Sequence, residues 1–465
     1  MNSFTRISVI LVFLINTLTG CATYYQQNIA FQQAIAAGQY HQAVDYLENN
    51  SALRKKPNKL LYYLEKGTAL HMAGEYGASN EMFEKAYAFI DDFIKNHGLE
   101  ALSFITNPTV VPYPGEDFER VQIHYFKALN HAMTGNLSDA LVECRRINIK
   151  LNEINDRYES NKRNHYSGDA FAWNLMGIFY DALKEYNNAF ICYRNALALY
   201  ETDYLTYYNV PVPQQLIHDL LKAAQDAGMY QEYDFYHEKY ALSDILPEKN
   251  GEAGDVVVFW NDGLAPIKTE DSLNFFIERG AGGVMMFVNQ EQDIWLPMPP
   301  TGTGSGNVTD MSFIRMALPR YLERSPFFIE CRVSIGSKEI VLEKAQDINA
   351  IAFLNLQDRM GRELGKALLR MVLKQGIEKA ARDQDEGLGL IVSVINAVTE
   401  KADTRSWQTL PHHIDYARIS VEEGQYQLVF KRSSYTGAQY ETIQDVVVKK
   451  GKTTFVTLFD PQSIP

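Results

Sequence analysis

Apolar positions recur at helical spacing over residues 30–245, in segments that come in pairs. The clearest pair spans residues 173–196, where small residues such as Gly177 and Ala189 alternate with aromatic residues such as Trp173. Small residues let two helices approach closely, and aromatic rings fill the remaining space. We therefore predict helix–turn–helix units in which the aromatic stripe forms core and not a cofactor site.

This pair resembles the tetratricopeptide (TPR) pattern W-x₂-L-G-x₂-Y…A-x₃-F, with Met176 in place of Leu and Tyr193 in place of Phe. Looser copies surround the turn glycines Gly38, Gly74, Gly135 and Gly228. The second, third and fourth turns are spaced more widely than the about 34 residues of a TPR. We therefore predict an irregular TPR-like solenoid over residues 21–245.

Solenoids present a concave face that is built from the first helix of each pair. In the clearest unit the residues expected there are Phe171, Asn174, Ile178 and Asp181. We interpret them as candidates for contact with a partner protein. The alternative interpretation is that they pack in the core or face solvent.

After a polar linker at 246–255, the pattern changes to short runs rich in β-branched residues. Strands are predicted at the following segments: 256–260, 282–288, 327–335, 416–421, 425–431, 443–450 and 453–459. They suggest a small antiparallel sandwich formed by residues 246–346 and 402–465.

Residues 347–401 have helical spacing, which predicts a helical insertion between these two parts. Its apolar stretch 388–398 would be buried against the sheet or would touch lipid or a partner. The predicted class is α+β, an all-α TPR-like solenoid followed by a β-sandwich-like module with a helical insertion.

The first twenty residues read as a signal peptide, with the apolar run 7–15 too short to span a bilayer as a helix. Leu18-Thr19-Gly20-Cys21 resembles the bacterial lipobox, so we expect cleavage between Gly20 and Cys21 and acylation of Cys21. An ordinary secretory signal or a buried thiol are the alternatives. Two or more acyl chains, palmitate among them, would anchor the chain stably. Ala22 in place of Asp favours the outer membrane of the cell envelope, by analogy with enterobacterial sorting.

Four features together resemble a family of uncharacterised bacterial TPR-containing lipoproteins: the lipobox, the segment 256–268, the Gly-rich apolar helix, and above all Ala402-Asp403-Thr404-Arg405-Ser406-Trp407 with Leu410-Pro411. The resemblance implies a periplasm-facing or surface-facing lipoprotein, and it carries over no catalytic residue. We interpret Asp403, Arg405 and Trp407 as a structural lock, in which the first two pair and Trp407 anchors the helical insertion to the sheet. A binding site is the alternative.

Net charge is −13, which disfavours nucleic acid as a partner. Cys144, Cys192 and Cys331 are expected to be small buried residues. His412 and His413 would point to opposite faces of an extended chain and could not share a metal. The loop 301–307 lacks the features of a phosphate-binding loop, and no zinc motif or esterase motif occurs. We therefore predict no metal, no cofactor and no catalytic residue.

The function that these features favour is an envelope-anchored scaffold or assembly factor that binds another protein. A first alternative is an enzyme acting on cell wall or polysaccharide, which would require clustered carboxylates with shifted pKa values in a cleft between solenoid and β module. A second is a structural component of an export or surface apparatus.

Overall fold

The structure is a computed structural model that describes residues 23–95, 111–156, 165–241, 253–279, 285–289, 294–297, 314–361, 363–365, 367 and 401–464. Predicted features at Gly20, Cys21, the loop 301–307 and the apolar stretch 388–398 lie outside the described residues.

Helices form the first half of the described chain. They are α1 (Tyr24–Gln27), α2 (Ile29–Ala36), α3 (Tyr40–Asn49), α4 (Lys59–Met72), α5 (Tyr76–Lys95), α6 (Asp117–Met133), α7 (Leu137–Asn155), α8 (Ala170–Ala182), α9 (Tyr186–Leu199), α10 (Gln214–Asp226) and α11 (Tyr230–Tyr240). A π-helical segment, Tyr200–Tyr208, extends α9.

Five tight turns join the helices into antiparallel pairs. Each has one residue at positive φ, namely Gly38, Gly74, Gly135, Lys184 and Gly228. In each turn the amides of this residue and the next bond back to the preceding helix, as in Glu75 N to the Leu70 carbonyl at 2.9 Å. This is the Schellman pattern, which satisfies the last carbonyls of a helix. The glycines that mark the turns in the sequence therefore lie where predicted.

Close approach within a pair depends on the small residues. A Cβ added at Gly177 of α8 would come within 2.3 Å of the Tyr193 ring of α9. A side chain there would force the two helices apart. Of the aromatic residues in this unit, Tyr193 is fully buried, and Trp173 and Tyr180 are partly buried and pack against the core.

The strands follow from residue 253 onward. They are β1 (Ala253–Asp262), β2 (Ile267–Arg279), β3 (Met285–Asn289), β4 (Ile294–Pro297), β5 (Ile314–Leu322), β6 (Phe328–Ile335), β7 (Lys338–Val341), β8 (Glu343–Asp347), β9 (His413–Glu422), β10 (Gly424–Ser434), β11 (Gln439–Val448) and β12 (Thr453–Asp460). They form a central sheet in the order β12-β1-β9-β8, an outer sheet β11-β10-β6-β7 and a third sheet β4-β3-β2-β5.

The central sheet is buried on both faces. Val256, Val258 and Trp260 of β1 pack against the outer sheet, while Val257 and Phe259 pack against the helices. Successive side chains of a strand point to opposite faces, so one strand serves both cores. The molecule is therefore layered as helices, central sheet and outer sheet. The α+β class predicted from the sequence is confirmed.

One part of the sandwich differs from the expectation. β12 pairs with β1 in parallel, from Asp255↔Thr453 to Asp262↔Asp460, so the expectation of a wholly antiparallel sandwich is wrong. β11 belongs to the outer sheet and β12 to the central sheet. Because the chain crosses between sheets at this point, β12 can enter beside β1 in the same direction.

Within the predicted insertion, residues 348–361 are helical (α12). Its apolar side chains, including Ile348, Ile351 and Leu356, join the core shared with the repeats. The ion pair of Arg359 with Glu116 joins α12 to the start of α6.

Candidate binding cleft

The four residues expected on the concave face are buried in this structure. Phe171, Asn174 and Ile178 are at most 1% exposed and Asp181 is 7% exposed. The Phe171 ring lies 6.2 Å from that of Phe259 on β1. The central sheet thus fills the groove of the repeats. A role of these residues in partner contact stays a prediction, and it would require the sheet to move.

Asp403 and Arg405 form a two-point ion pair, with Nε–Oδ1 at 2.8 Å and Nη2–Oδ2 at 2.7 Å. Arg405 also donates to the Pro57 carbonyl at 2.7 Å. Burial acts to raise the pKa of Asp403, but the charge and hydrogen bonds of Arg405 together with the charge of Lys268 outweigh it and keep that pKa below its usual range.

Trp407 lies among the helices and not between insertion and sheet. Its ring packs beside Phe83 of α5 and Phe126 of α6, with centroids 5.7 and 5.6 Å away. Its indole N–H donates to Thr68 Oγ1 of α4 at 3.0 Å. The segment 402–411 therefore attaches the C-terminal strands to the repeats.

A cleft of about 850 Å³ opens where the last helices meet the strand ends. It is bounded by the C-terminal end of α8, by α10, by the start of β1 and by β9. Two turns complete it, the β6–β7 turn and the β11–β12 turn. Since the central sheet fills the rest of the groove, this cleft is where the repeats still present an open concave surface.

The floor of the cleft is an ion-pair network centred on Arg418 of β9. Its guanidinium contacts Asp181 on α8, Asp219 on α10 at 3.1 Å and Asp255 on β1 at 3.2 Å. It also donates to the Tyr193 hydroxyl at 3.1 Å. A buried arginine with three carboxylates fixes the distance between helices and sheet, because any separation would leave a buried charge unpaired.

Two carboxyls of this network lie on helices, Asp219 and Asp181, and their pKa values are shifted in opposite directions. Burial raises the pKa of Asp219 to about 6, against the opposing charge of Arg418. Burial also acts on Asp181, but the charges of Arg418 and Lys222 outweigh it and lower that pKa. Pairs of carboxyls with diverging pKa values are typical of acid–base sites and also of structural ion-pair networks.

The mouth of the cleft carries three lysines beside one acidic residue, Glu339, which is paired with Lys431 at 2.9 Å. Lys184 of the α8–α9 turn, Lys338 of the β6–β7 turn and Lys452 of the β11–β12 turn all line it and are exposed. Among the described residues none of the three has a carboxylate partner. Lys338 donates to the Ser420 carbonyl at 2.6 Å, and Lys184 reaches the β11–β12 turn, since a Cβ at Gly451 would lie 3.5 Å from its ammonium.

Lys184 occupies a position that the other four turns give to glycine. Its φ is +63°, in the left-handed region that L-residues rarely adopt. A strained residue retained where glycine would fit is a frequent mark of a functional site. The cleft mouth therefore combines unpaired positive charge with backbone strain.

This arrangement suits an anionic ligand. Arg418 is already in contact with three carboxylates of the floor, whereas the lysines of the mouth have no carboxylate partner in the described part of the chain. Carboxylates or phosphates would find three donors on three separate turns. Within the described residues, no group of three or more His, Cys, Asp and Glu side chains is placed to hold a metal ion.

A second cluster of titratable residues lies at the other end of β1. His412 and His413 have their Nδ1 atoms 3.3 Å apart, so the expectation that they point to opposite faces is wrong, because His412 precedes the strand. His413 Nε2 lies 3.6 Å from Asp262 and 3.5 Å from Asp415. Burial raises the pKa of Asp262 to about 9 and that of Asp415 to about 8, and it lowers that of His413.

The three cysteines expected to be buried are confirmed as buried free thiols, Cys144, Cys192 and Cys331. Across the described residues, every helix is too short or too polar to cross a membrane. The lysines of the mouth and Arg418 were missed by sequence reasoning. A local signal existed for Lys184 alone, which replaces glycine in the turn of the clearest repeat.

No protein-family model matches the chain, and no curated protein matches it. Solved structures similar to it include the TPR-like repeats of a kinesin light chain from Podosopora anserina, at 16% identity and a TM-score of 0.31, covering 46% of this chain and 92% of that one. Another is the MamA protein of Desulfovibrio magneticus RS-1, at 15% identity and a TM-score of 0.29, covering 46% and 88%. These likenesses involve TPR-like repeat proteins, and scores this low carry no inference about function.

Proposed function

We propose that the protein is a lipid-anchored scaffold of the bacterial cell envelope, held at the outer membrane by acylated Cys21, that binds an acidic segment of another envelope protein in the cleft. The observation that carries the binding part is the cleft mouth, where Lys184, Lys338 and Lys452 meet without a carboxylate partner among the described residues. The lipobox at residues 18–21 supports the anchor.

The distribution of charge over the chain favours an acidic protein segment as the ligand of the cleft. The chain carries a net charge of −13, so most of its surface repels acidic proteins, while the mouth attracts them. A partner segment that ends in or contains several Asp or Glu residues would be attracted to the three lysines of the mouth. The rigid floor would then present a preformed site, which lowers the entropy lost on binding.

The anchor is tested by a Cys21→Ser variant. We expect it to lose incorporation of labelled palmitate and to leave the membrane pellet. Equal palmitate labelling of the variant and the parent would refute the membrane anchor at Cys21, whatever the cleft binds.

Binding is tested by site-specific photocrosslinking in cells. A photoreactive amino acid at Gln225, an exposed cleft residue, is expected to capture a discrete partner. The same amino acid at Gln42, an exposed glutamine on α3, serves as the matched control. Reversal of the three mouth charges in Lys184→Glu, Lys338→Glu, Lys452→Glu should remove the adduct at Gln225. An adduct that survives the charge reversal would contradict the proposal.

A second candidate is an enzyme acting on cell wall or polysaccharide. One observation favours it, namely that Asp219 and Asp181 have opposite pKa shifts in a cleft between helices and sheet. It predicts product release from cell-wall or polysaccharide fragments that Asp219→Asn abolishes while the melting temperature is retained. Activity equal in the variant and the parent would remove this candidate. The third alternative, a structural component of an export or surface apparatus, predicts stable assemblies in mild detergent.

A further inference from the structure

The described part of the chain begins two residues after the proposed anchor. Ala22 alone separates Cys21 from Thr23, which caps α1 through mutual hydrogen bonds with Gln26 at 2.9 and 3.3 Å. Tyr24 is 5% exposed. Two residues of extended chain span at most roughly 7 Å. If Cys21 is acylated, as the proposed function requires, the surface around α1 must lie at the bilayer.

A basic loop is fixed beside this point. At its start, Asn50 donates to Asn28 Oδ1 at 3.5 Å, and Asn28 donates to the Tyr24 carbonyl at 2.8 Å. At its end, the Pro57 carbonyl accepts from Arg405 at 2.7 Å. The neighbour of Arg405, Thr404, accepts from the Tyr24 amide at 3.5 Å. Both ends of the loop are therefore tied to the residues around Tyr24.

We define the anchor-face cluster as Arg54, Lys55 and Lys56 of this loop together with Lys59 at the start of α4. The first three are exposed, and among the described residues none of the four has a carboxylate partner. The ammonium of Lys59 lies over the Tyr63 ring, 5.4 Å from its centroid. No Asp or Glu occurs anywhere in residues 49–64.

The local charge is opposite to that of the whole molecule. Residues 21–64 contain four Lys or Arg residues and two acidic residues, Asp45 and Glu48. Glu48 is paired with Lys66 at 2.6 Å. In a chain of net charge −13, this positive surface lies where the acyl chains would enter the membrane.

We propose that the anchor-face cluster docks on anionic lipid headgroups and so fixes the orientation of the body on the membrane. Acyl chains determine that the protein stays at the bilayer but leave it free to pivot. Cations within a Debye length of an anionic surface are attracted to it, by roughly a fivefold gain in affinity for each charge. The loop and the anchor then act as two signals on one face.

The experiment uses the acylated full chain reconstituted in vesicles of phosphatidylcholine alone or with phosphatidylglycerol. A polarity-sensitive fluorophore is placed at Ala52→Cys, in the loop, or at Ala438→Cys, in the β10–β11 turn, as the control. Both sites are exposed, and Cys144, Cys192 and Cys331 are buried, so labelling is selective. We expect a blue shift at position 52 in vesicles with phosphatidylglycerol only, reversed by high salt, and no shift at position 438.

The matched variants reverse three charges each. Arg54→Glu, Lys55→Glu, Lys56→Glu should abolish the blue shift at position 52, whereas Lys184→Glu, Lys338→Glu, Lys452→Glu should leave it unchanged. A milder Arg54→Gln, Lys55→Gln, Lys56→Gln variant guards against misfolding of the first. A blue shift that is equal in both vesicle types, or that persists in both loop variants, would overturn the proposal.

Acylation is read separately, by mass spectrometry of the N-terminal peptide. An acylated protein without a lipid-dependent shift refutes the docking face and leaves the anchor intact. A chain that is not acylated refutes the anchor. In that case, at least tenfold stronger co-sedimentation with phosphatidylglycerol vesicles, lost in the loop variants, would still support the docking face, and its absence would refute it.

Discussion

At the scale of single residues, Asp262 is a fully buried carboxyl whose pKa is raised far above its usual value. It is completely buried, and burial together with the nearby Asp460 and Asp415 carboxyls raises its pKa to about 9. At neutral pH the folded protein therefore holds this group as the neutral acid. A free carboxyl in the unfolded chain would be ionised there.

The direction of the resulting pH dependence follows from proton counting. Between about pH 4 and pH 9 the folded state holds a proton on Asp262 that the unfolded state has lost, so rising pH favours unfolding. Asp415, whose pKa is raised to about 8 by burial, acts in the same sense. The free energy of unfolding should therefore fall toward alkaline pH.

In an Asp262→Asn variant, the free energy of unfolding should fall less steeply as the pH rises. Because the amide resembles the protonated acid in shape and charge, we expect the variant and the parent to melt at similar temperatures near pH 5. At pH 9 the variant should melt at least a few degrees higher. Thermal unfolding followed by circular dichroism at both pH values measures this. Asp445→Asn, at an exposed site on β11, is the control, and an equal response of the two variants would refute the argument.

At the scale of elements, the five helix-pair turns share one geometry but differ in one residue. Four place glycine at positive φ and one places Lys184 there, at +63°. An L-residue in this region costs about 1–2 kcal/mol relative to glycine. The unfolded chain loses less entropy with lysine, which offsets part of that cost.

Replacement of Lys184 by glycine should therefore stabilise the fold and weaken the function. We expect the free energy of unfolding to rise by about 0.5–1 kcal/mol, measured by urea titration, while crosslinking from Gln225 decreases. The inverse change, Gly135→Ala, has no atom within 4 Å of the new Cβ, so it should destabilise through φ alone. Retained crosslinking in Lys184→Gly would show that the lysine has no part in binding.

The segment 402–411 links two layers that are distant in sequence. Trp407 and Thr68 are 339 positions apart, yet the indole N–H and the hydroxyl oxygen lie within hydrogen-bond distance. Its amide also donates to Glu119 Oε1 at 2.7 Å. Loss of the Trp407 side chain removes its packing and its indole hydrogen bonds together, while the backbone amide bond can remain.

A Trp407→Ala variant should lose about 3–5 kcal/mol of unfolding free energy, because a fully buried aromatic ring is replaced by a cavity. Trp407→Phe keeps a ring but not the N–H, and should lose about 1 kcal/mol. Chemical denaturation of the parent and both variants gives these values. Equal losses in the two variants would indicate that packing against Phe83 and Phe126 contributes little.

Local signals in the sequence were sufficient for the turns and for most strands. Gly74 and Gly135 mark turns because glycine favours positive φ, and the run Val256–Trp260 marks β1 because it is β-branched and aromatic. The site could not be predicted in this way. Arg418 meets Asp181 across 237 positions, and no periodicity within either segment reports that contact. The sheet that fills the groove is likewise a product of long-range packing.

At the scale of the whole molecule, helices and strands share one core. Buried residues of α4, α6, α8 and α10 belong to the same apolar cluster as Val257, Phe259 and Tyr416 of the central sheet. Neither layer covers its apolar face without the other. The two layers are therefore expected to unfold together.

Unfolding of the intact protein should accordingly follow a single transition. The helical signal in the far ultraviolet should give the same midpoint in urea as the fluorescence of two variants, one that keeps Trp260 and one that keeps Trp407 as its single tryptophan. Since Trp260 lies between the two sheets and Trp407 among the helices, they report on different layers. Separate midpoints would show that the helical repeats and the central sheet unfold independently.

The parallel entry of β12 beside β1 has a consequence for biogenesis. A ribosome delivers β1 some two hundred residues before the strand that completes its sheet, as the 200 positions between hydrogen-bonded Trp260 and Asp460 show. During that interval Phe179 of α8 lacks the ring of Phe455 on β12, whose centroid lies 5.5 Å from its own. A nascent or truncated product that ends before Thr453 would therefore expose the unpaired edge of β1 and an apolar surface of the helices. Chaperones and proteases recognise such surfaces.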